Sequence, residues 1–308
     1  MRYAARVPVP IVHHPGYVAP LPAGHRFPMA KFGRLIEVLR GQGLAGADNT
    51  HSPDPAPRWW LELAHDPAYV AEILDLTAGT STMRRIGLPL SAALALRARL
   101  AVAGTVLAGE LALKAGVACN TAGGSHHAGY AHGAGFCVFN DVAVAARVLQ
   151  ALGLAKRILV LDLDVHQGDG TAEICRGDDS IFTFSLHCEH NYPARKQQSD
   201  LDIGLDEGTG DDEYLAALTP RLSELLDQWR PDLVFYNAGV DPHRDDRLGK
   251  LALSDQGLMA RERLVVGACG QAQVPLATVI GGGYAIDIDA LARRHALISL
   301  AAAEAGAG

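Results

Sequence analysis

Four polar residues whose types suit metal chemistry directly follow an apolar run in the middle of this chain. Asp162, Asp164, His166 and Asp169 lie in the segment RILVLDLDVHQGDGTAEI, residues 157–174. The apolar run is too continuous for a half-exposed strand and is typical of a buried strand in a parallel sheet. In open α/β sheets, ligands bind beyond the carboxyl ends of the strands. The segment therefore predicts a metal site, rather than an acidic turn that only caps the next helix.

Four further segments place polar residues just after predicted strands. They cover residues 123–127, 185–187, 237–241 and 281–284. Any one of them alone is a weak motif. Because the strands of a parallel sheet present their carboxyl ends on the same side, we expect all five segments to converge there.

Asp164, His166 and Asp241 are the predicted zinc ligands. A hydrolytic zinc site needs three protein ligands and an open position for water. The spacing of two between Asp164 and His166 on an extended segment points both side chains to one face. Asp241 would come from a neighbouring strand end. Zinc at such a site lowers the pKa of its bound water from about 15.7 to about 7.

The histidine pair and a tyrosine complete a hydrolytic set. His126 and His127 fit a general base beside the water and a second imidazole whose charge tunes the site. Asp162 and Asp169 could each orient one imidazole through its second nitrogen. Tyr284 follows three glycines that allow close backbone approach, and it can donate a hydrogen bond to a developing oxyanion.

The elements that would position these residues alternate between helix and strand. Strands are predicted at 116–121, 157–163, 181–186, 233–237 and 276–280, and helices at 91–115, 142–153 and 212–229. Repeated strand and helix units imply a parallel sheet with right-handed crossovers. We therefore predict an α/β fold, one domain over residues 1–308, with an open parallel sheet flanked by helices.

The first third of the chain has weaker patterns. They predict a helix over 29–44 that ends near Gly41 or Gly43, a polar loop over 49–57 and a second helix over 59–76. We expect these elements to pack at the edge of the sheet.

Composition excludes several classes of protein. With 308 residues, 49% hydrophobic and 20% charged, the chain can bury a large core, and its net charge of −7 gives no basic footprint for nucleic acid. Five scattered cysteines without a C-x-x-C pair fit a reducing cytoplasm. The N-terminus lacks the apolar core of a signal peptide, and we expect no membrane span. These features predict a soluble cytoplasmic protein.

The motifs together resemble a known family. GGSHHAGYAHGAGFCVFND, LDLDVHQGDG, YNAGVDPHRDDRLGKLALS and GGGY, in this order, are similar to the histone deacetylase superfamily, with variants that resemble class IV and its bacterial relatives. The resemblance implies an arginase/deacetylase-like fold and the zinc ligands named above. It also implies that His127 is the general base or acid, His126 its electrostatic partner and Tyr284 the oxyanion donor.

The resemblance further implies a structural potassium ion and an acyl tunnel. The potassium ion would be held by the side chains of Asp162, Asp164 and Ser185 and by the carbonyls of His166 and Leu186. Substrate would contact Gly135, Phe136, Tyr192 and Gly282, with Phe136 and Tyr192 as opposite walls of the tunnel. The acidic rim residue typical of the family has no match before Leu94.

The predicted function is zinc-dependent removal of acyl groups, acetyl or longer, from lysine side chains of proteins or peptides. One alternative is a deacylase of small acylated amines such as acetylpolyamines, for which Glu189 is a candidate acidic residue at the tunnel mouth. A binuclear arginase-type hydrolase would want an aspartate where Gly168 stands. A non-catalytic binder of acyl-lysine or a metabolite is less consistent with the complete set of ligands, base and donor. The oligomeric state is not predicted.

Overall fold

Eight strands form one sheet in the computed structural model, which describes residues 8–306. In chain order they are β1 (Ile11–Val12), β2 (Thr50–His51), β3 (Val117–Asn120), β4 (Ile158–Asp162), β5 (Ile181–Cys188), β6 (Leu201–Leu205), β7 (Leu233–Asn237) and β8 (Leu276–Val279). Across the sheet the order is β2-β1-β3-β8-β7-β4-β5-β6, and every neighbouring pair is parallel. Residues 1–7 and 307–308 lie outside the described range. The expectation that the N-terminus lacks a signal peptide falls partly on residues 1–7.

Helices cover both faces of the sheet, which confirms the predicted α/β class. They are α1 (Lys31–Gly41), α2 (Arg58–Leu61), α3 (Pro67–Leu74), α4 (Thr80–Ile86), α5 (Ala92–Ala115), α6 (Asp141–Ala151), α7 (Asp169–Cys175), α8 (Asp211–Glu224), α9 (Asp255–Ala272), α10 (Ile288–His295) and α11 (Leu297–Ala305). A short π-helical turn, Leu225–Trp229, extends α8, so the predicted helix to Trp229 changes its hydrogen-bond pattern after Glu224.

The continuous apolar run of β4 is explained by burial on both faces. Ile158 and Val160 pack in the core on the side of α5 and α6, whereas Leu159 and Leu161 pack in the core on the side of α8 and α9. Successive side chains of a strand point to opposite faces, so a strand covered on both sides has no polar position. The polar residues of β4 are therefore confined to its carboxyl end.

Helix α5 is the element that bears on the expectation that the chain has no membrane span. By length and composition alone, Ala92–Ala115 could cross a bilayer. However, 72% of its most apolar window is buried inside the fold, where it packs against α6, β3 and β8. Burial to this extent is typical of a helix in the core of a fold.

Two expectations for the first third of the chain were wrong. The single helix over 59–76 is divided into α2 and α3, because Pro67 has no N–H for a helix interior and Asp66 caps the new start by accepting from the Ala68 N–H at 2.7 Å. The predicted loop over 49–57 contains β2, which with β1 forms one edge of the sheet. Two-residue strands are too short to leave a periodic pattern.

Candidate active site

The carboxyl ends of three central strands bring polar residues side by side. In register, Asp162 at the end of β4 lies between Ser185 of β5 and Asn237 of β7. The Asn237 side chain donates to Asp162 Oδ1 at 2.8 Å. Because the strands are parallel, the loops that follow β3, β4, β7 and β8 begin at the same end of the sheet, the carboxyl end of its strands.

Asp164, His166 and Asp241 form a buried cluster with the composition of a metal site. Their ligand atoms all lie within 4.8 Å of one another, and His166 Nδ1 is 3.0 Å from Asp164 Oδ1 and 3.2 Å from Asp241 Oδ2. Although His166 Nδ1 lies close to it, Asp241 Oδ2 accepts no well-aligned hydrogen bond. Burial and the Asp164 charge raise the pKa of Asp241. A buried carboxylate oxygen without a donor needs a cation, so the cluster fits zinc.

The His126 imidazole is held by the Asp162 carboxylate. Its Nδ1 lies 2.7 Å from Asp162 Oδ2, and its Nε2 lies 3.7 Å from Asp164 Oδ1. Burial lowers the pKa of His126, but the Asp162 and Asp164 carboxylates outweigh burial and raise it to about 9. His126 is therefore favoured in its charged form.

His127 has a carboxylate partner from a different element. Its Nδ1 lies 2.6 Å from Asp169 Oδ1, at the first residue of α7. Burial and the neighbouring His126 lower the pKa of His127 to about 4, although Asp169 opposes the shift. The two imidazoles, 4.1 Å apart between ring centroids, thus have opposite preferences for charge, an arrangement that separates a base from its charged neighbour.

Tyr284 follows a glycine loop that packs against the predicted zinc ligands. The Gly282 N–H donates to Asp164 Oδ2 at 2.6 Å, and a Cβ at Gly282 would overlap Asp241 Oδ2. Burial and the carboxylates of Asp164 and Asp241 raise the pKa of Tyr284 well above its ordinary value. Tyr284 therefore keeps its hydroxyl proton. The Gly282 N–H is thus bonded to a predicted zinc ligand, and the contact of Gly282 with substrate stays a prediction.

Two residues that support this loop were not assigned from the sequence. Asp246 accepts from the Tyr284 N–H at 2.6 Å and from the N–H groups of Leu248 and Gly249. Lys31 is buried and donates to the Gly281 carbonyl at 3.0 Å, and burial lowers its pKa to about 8. Lys31 lies 250 residues away in the chain, and no local pattern marks it.

Aromatic rings line the approach to the site. A cleft of about 370 Å³ reaches His127, His166 and Tyr284, with Phe136 and Tyr192 among its walls. Tyr192 meets His127 edge-on, with 4.7 Å between ring centroids, and the Phe136 ring is 5.9 Å from that of Tyr284. A smaller cavity of about 30 Å³, enough for one water molecule, lies deeper and shares four lining residues with the cleft: His127, Gly135, Phe136 and Tyr284.

Known proteins are similar to this chain in sequence and in fold. Residues 25–300 match the model of the histone deacetylase domain. The chain belongs to the histone deacetylase family. An uncharacterized protein of Picosynechococcus sp. is 54% identical over 293 residues, which are 95% of this chain and 98% of that protein. Histone deacetylase 2 of Arabidopsis thaliana is 29% identical over 273 residues, covering 84% and 70% of the two chains.

A solved structure supports the same assignment. The crystal structure of an HDAC homolog from Aquifex aeolicus superposes with a TM-score of 0.82 at 27% identity, covering 96% of this chain and 84% of that one. Membership in the histone deacetylase family indicates an amide hydrolase. The family is zinc-dependent, in agreement with the buried cluster of Asp164, His166 and Asp241.

Gly168 stands at the position where an arginase-type binuclear site would want an aspartate, and the structure leaves little space for one there. A Cβ at Gly168 would overlap Asp162 Oδ2, so an aspartate there would displace the carboxylate that holds His126. Within residues 8–306, Asp164, His166 and Asp241 form the one cluster of His, Cys, Asp and Glu side chains close enough to hold a metal ion. Both observations disfavour a second catalytic metal of the arginase type.

Glu189, the candidate acidic residue at the tunnel mouth whose placement the sequence leaves open, does not line the cleft. Its carboxylate packs over Gly204 of β6, 4.0 Å from His187 Nε2, and the residues that line the cleft contain no carboxylate. Strand β5 extends two residues past its predicted end, to Cys188, and this extension carries Glu189 toward the sheet edge.

The residues expected to hold potassium lie in β5 and at or just after the end of β4, and the potassium site stays a prediction. Asp162 and Ser185 are register neighbours, and the Ser185 hydroxyl lies 2.9 Å from His187 Nδ1. Leu186 and His166 are buried.

Proposed function

We propose that this protein is a zinc-dependent deacylase that removes acyl groups from lysine side chains. The observation that carries the proposal is the buried Asp241 oxygen without a donor, within a three-ligand cluster that adjoins the His127–Asp169 pair and Tyr284. A metal-ligand set, a base with its orienting carboxylate and a protonated phenol are the parts that amide hydrolysis needs.

Asp164, His166 and Asp241 would hold the metal, which supplies Lewis acidity and a water of lowered pKa. The residues of the chain do the rest. Because His127 Nδ1 is bonded to Asp169, its Nε2 is the atom that takes a proton from the attacking water and returns it to the departing amine. Tyr284 donates its hydroxyl proton in a hydrogen bond to the oxyanion. His126, charged and held by Asp162, adds positive charge beside the base.

Finer assignments complete the proposal. A potassium ion at Asp162, Asp164, Ser185 and the carbonyls of His166 and Leu186 would brace the loop after β4, since hard cations prefer oxygen ligands. Gly135, Phe136 and Tyr192 form the tunnel walls. Resemblance to class IV favours acyl groups longer than acetyl. The chain would act as one cytoplasmic domain, in keeping with five free, buried cysteines.

The direct test measures hydrolysis with purified protein whose zinc content has been quantified. We expect release of acyl groups from acyl-lysine peptides in a series from acetyl to myristoyl, and loss of activity after chelation that zinc restores. N-acetylspermidine is the comparison substrate for the small-amine alternative. If acetylspermidine alone is hydrolysed, the lysine deacylase assignment fails. If no acylated amine is hydrolysed by the zinc-loaded protein, the hydrolase assignment itself fails.

A further inference from the structure

Three arginines surround the outer part of the cleft. Arg26, Arg84 and Arg85, here called the arginine rim, line the same cleft as His127 and Tyr284. All three residues are exposed, and the cleft lining includes no aspartate or glutamate. The whole chain has a net charge of −7, so this group of like charges is a local exception.

The rim is held in place by backbone contacts with the tunnel wall. The Gly135 N–H donates to the Arg85 carbonyl at 3.2 Å, and the Phe136 N–H donates to the Ile86 carbonyl at 2.7 Å. These bonds fix the end of α4 against the loop that carries Phe136. The Arg26 guanidinium carbon lies 5.2 Å from the centre of the Phe136 ring, within the range of a cation–π contact.

Within the described part of the chain, the three arginines of the rim have no ion-pair partner. Among residues 8–306, no carboxylate lies within ion-pair distance of the three guanidinium groups, and their side chains make no hydrogen bond to the protein. Elsewhere the exposed arginines Arg58 and Arg221 pair with carboxylates along their own helices. Basic residues in the last turn of α4 suit the helix dipole. That role alone does not require them to face a cleft that leads to catalytic groups.

We propose that the arginine rim recognises carboxylates in the part of the substrate that stays outside the tunnel, so that the preferred substrate is an acyl-lysine flanked by acidic residues. This inference rests on the proposed function and deepens it. Guanidinium groups bind carboxylates with two parallel hydrogen bonds, and like-charge contacts disfavour wrong partners. The rim therefore selects against lysine-rich and arginine-rich peptides and against cationic acetylpolyamines.

The test compares acyl-lysine peptides that differ only at the two flanking residues, which are Glu, Gln or Lys. Each exposed ion pair is weak, but two flanking residues meet several guanidinium groups, so we expect kcat/KM for the Glu peptide to exceed that for the Lys peptide by about tenfold at low salt. The ratio should fall toward one at about 1 M salt, where the screening length is about 3 Å. In the triple variant R26Q/R84Q/R85Q the ratio should also approach one.

A charge-matched control separates the rim from net charge. The triple variant R40Q/K114Q/R293Q also removes three positive charges, but from exposed positions on α1, α5 and α10. It should keep the Glu-to-Lys ratio of kcat/KM that the unmodified protein has. Nα-benzoyl-Nε-acetyl-lysine and its carboxamide form a further pair, which tests a free α-carboxylate as the source of negative charge. If the free carboxylate is preferred in this pair but Glu is not preferred among the peptides, the favoured substrate is a small acylated amino acid. That result would overturn the assignment of an acidic peptide.

Binding gives a readout that is independent of turnover. Fluorescence anisotropy with the zinc-loaded protein should show tighter binding of the Glu peptide than of the Lys peptide, and loss of this difference in the rim variant but not in the control variant. Hydrolysis of Glu and Lys peptides at equal rates overturns the rim proposal and leaves the proposed deacylase function intact. Failure to hydrolyse any acylated amine contradicts the proposed function, and the rim proposal with it.

Discussion

Tyr284 can act as a hydrogen-bond donor because burial and two nearby carboxylates keep its hydroxyl protonated. Removing that hydroxyl in Tyr284→Phe should lower kcat by about 10²- to 10³-fold, the usual effect of losing one oxyanion donor. Thermal stability should change little, since the ring and its contacts with Phe27 and Phe136 remain. Steady-state kinetics and a melting curve check this result. Tyr130→Phe, at an exposed position, is the matched control, and unchanged kcat in Tyr284→Phe would contradict the assigned role.

His65 makes the fold sensitive to acid. Its Nδ1 lies 2.9 Å from the Gly129 carbonyl, and its Nε2 accepts from the Asn140 N–H at 2.9 Å, so both nitrogens are satisfied only in the neutral ring. Burial lowers the pKa of His65 to about 4 from an ordinary value of 6.5. Since the unfolded chain binds this proton more readily, stability is full above pH 6.5 and declines as the pH falls toward 4.

Between pH 7 and pH 5, His65 should account for about 2 kcal/mol of lost stability. His65→Gln should therefore be less stable than the unmodified protein at pH 7 by about 1 to 3 kcal/mol, the cost of an unsatisfied buried group. Its stability should also fall less over the same pH range. Urea unfolding at both pH values measures the difference, with the exposed His190→Gln as control. An equal pH slope in His65→Gln and the unmodified protein would rule out this role.

Sequence reasoning worked best for residues at strand ends and failed for supporting residues. Asp164, His166 and Asp241 could be selected because each follows an apolar run, and the structure brings them together. Lys31 and Asp246 support the Tyr284 loop from distant segments, and their contacts depend on tertiary packing that leaves no periodicity in sequence. The sequence left the placement of Glu189 open, because β5 continues to Cys188, two residues past the strand end that the apolar pattern predicts.

At the scale of elements, α9 braces the loop after β4 through a buried ion pair. Arg261 donates to the Leu163 carbonyl at 3.1 Å and to Glu262 Oε1 at 2.5 Å, and the Tyr236 hydroxyl donates to Glu262 Oε2 at 2.7 Å. Arg261 and Glu262 are almost completely buried. Breaking a buried pair from one side leaves an uncompensated charge, which costs about 3 to 5 kcal/mol.

Glu262→Gln should therefore lower the free energy of unfolding by about 3 kcal/mol or more, measured by urea denaturation. The same helix provides the control, because Arg263 forms an exposed pair with Glu304 of α11. Glu304→Gln should cost less than about 1 kcal/mol. Equal effects of the two substitutions would show that the buried pair does not brace the loop.

The predicted elements were most accurate where the sheet is buried on both faces. β3, β4, β5, β7 and β8 were located from the sequence pattern, whereas β1, β2 and β6 were not. β1 and β2 have two residues each, and the side chains of β6 alternate between half-buried and exposed, with a glycine in its second half. Edge strands such as these depend on pairing with a neighbour more than on their own pattern.

At the scale of the whole molecule, the predicted zinc ligands and the Gly282 loop come from three strand ends, and a bound cation would join them. Asp164 follows β4, Asp241 follows β7, and Gly282, which follows β8, donates to Asp164. Zinc bound only by the folded state stabilises it by RT ln(1 + [L]/Kd), about 2.7 kcal/mol when free zinc is 100 times Kd. Zinc should therefore raise the melting temperature of chelator-treated protein.

Asp241→Asn is the decisive variant for this coupling between metal and fold. It removes one ligand charge, so the zinc-induced rise in melting temperature should shrink to a small fraction of that in the unmodified protein. Asp245→Asn, four residues on and exposed, should keep the full rise. Differential scanning calorimetry with and without zinc measures the shift without any need for activity. A full rise in Asp241→Asn would mean that the cation binds elsewhere, and Asp241 would then not be a zinc ligand.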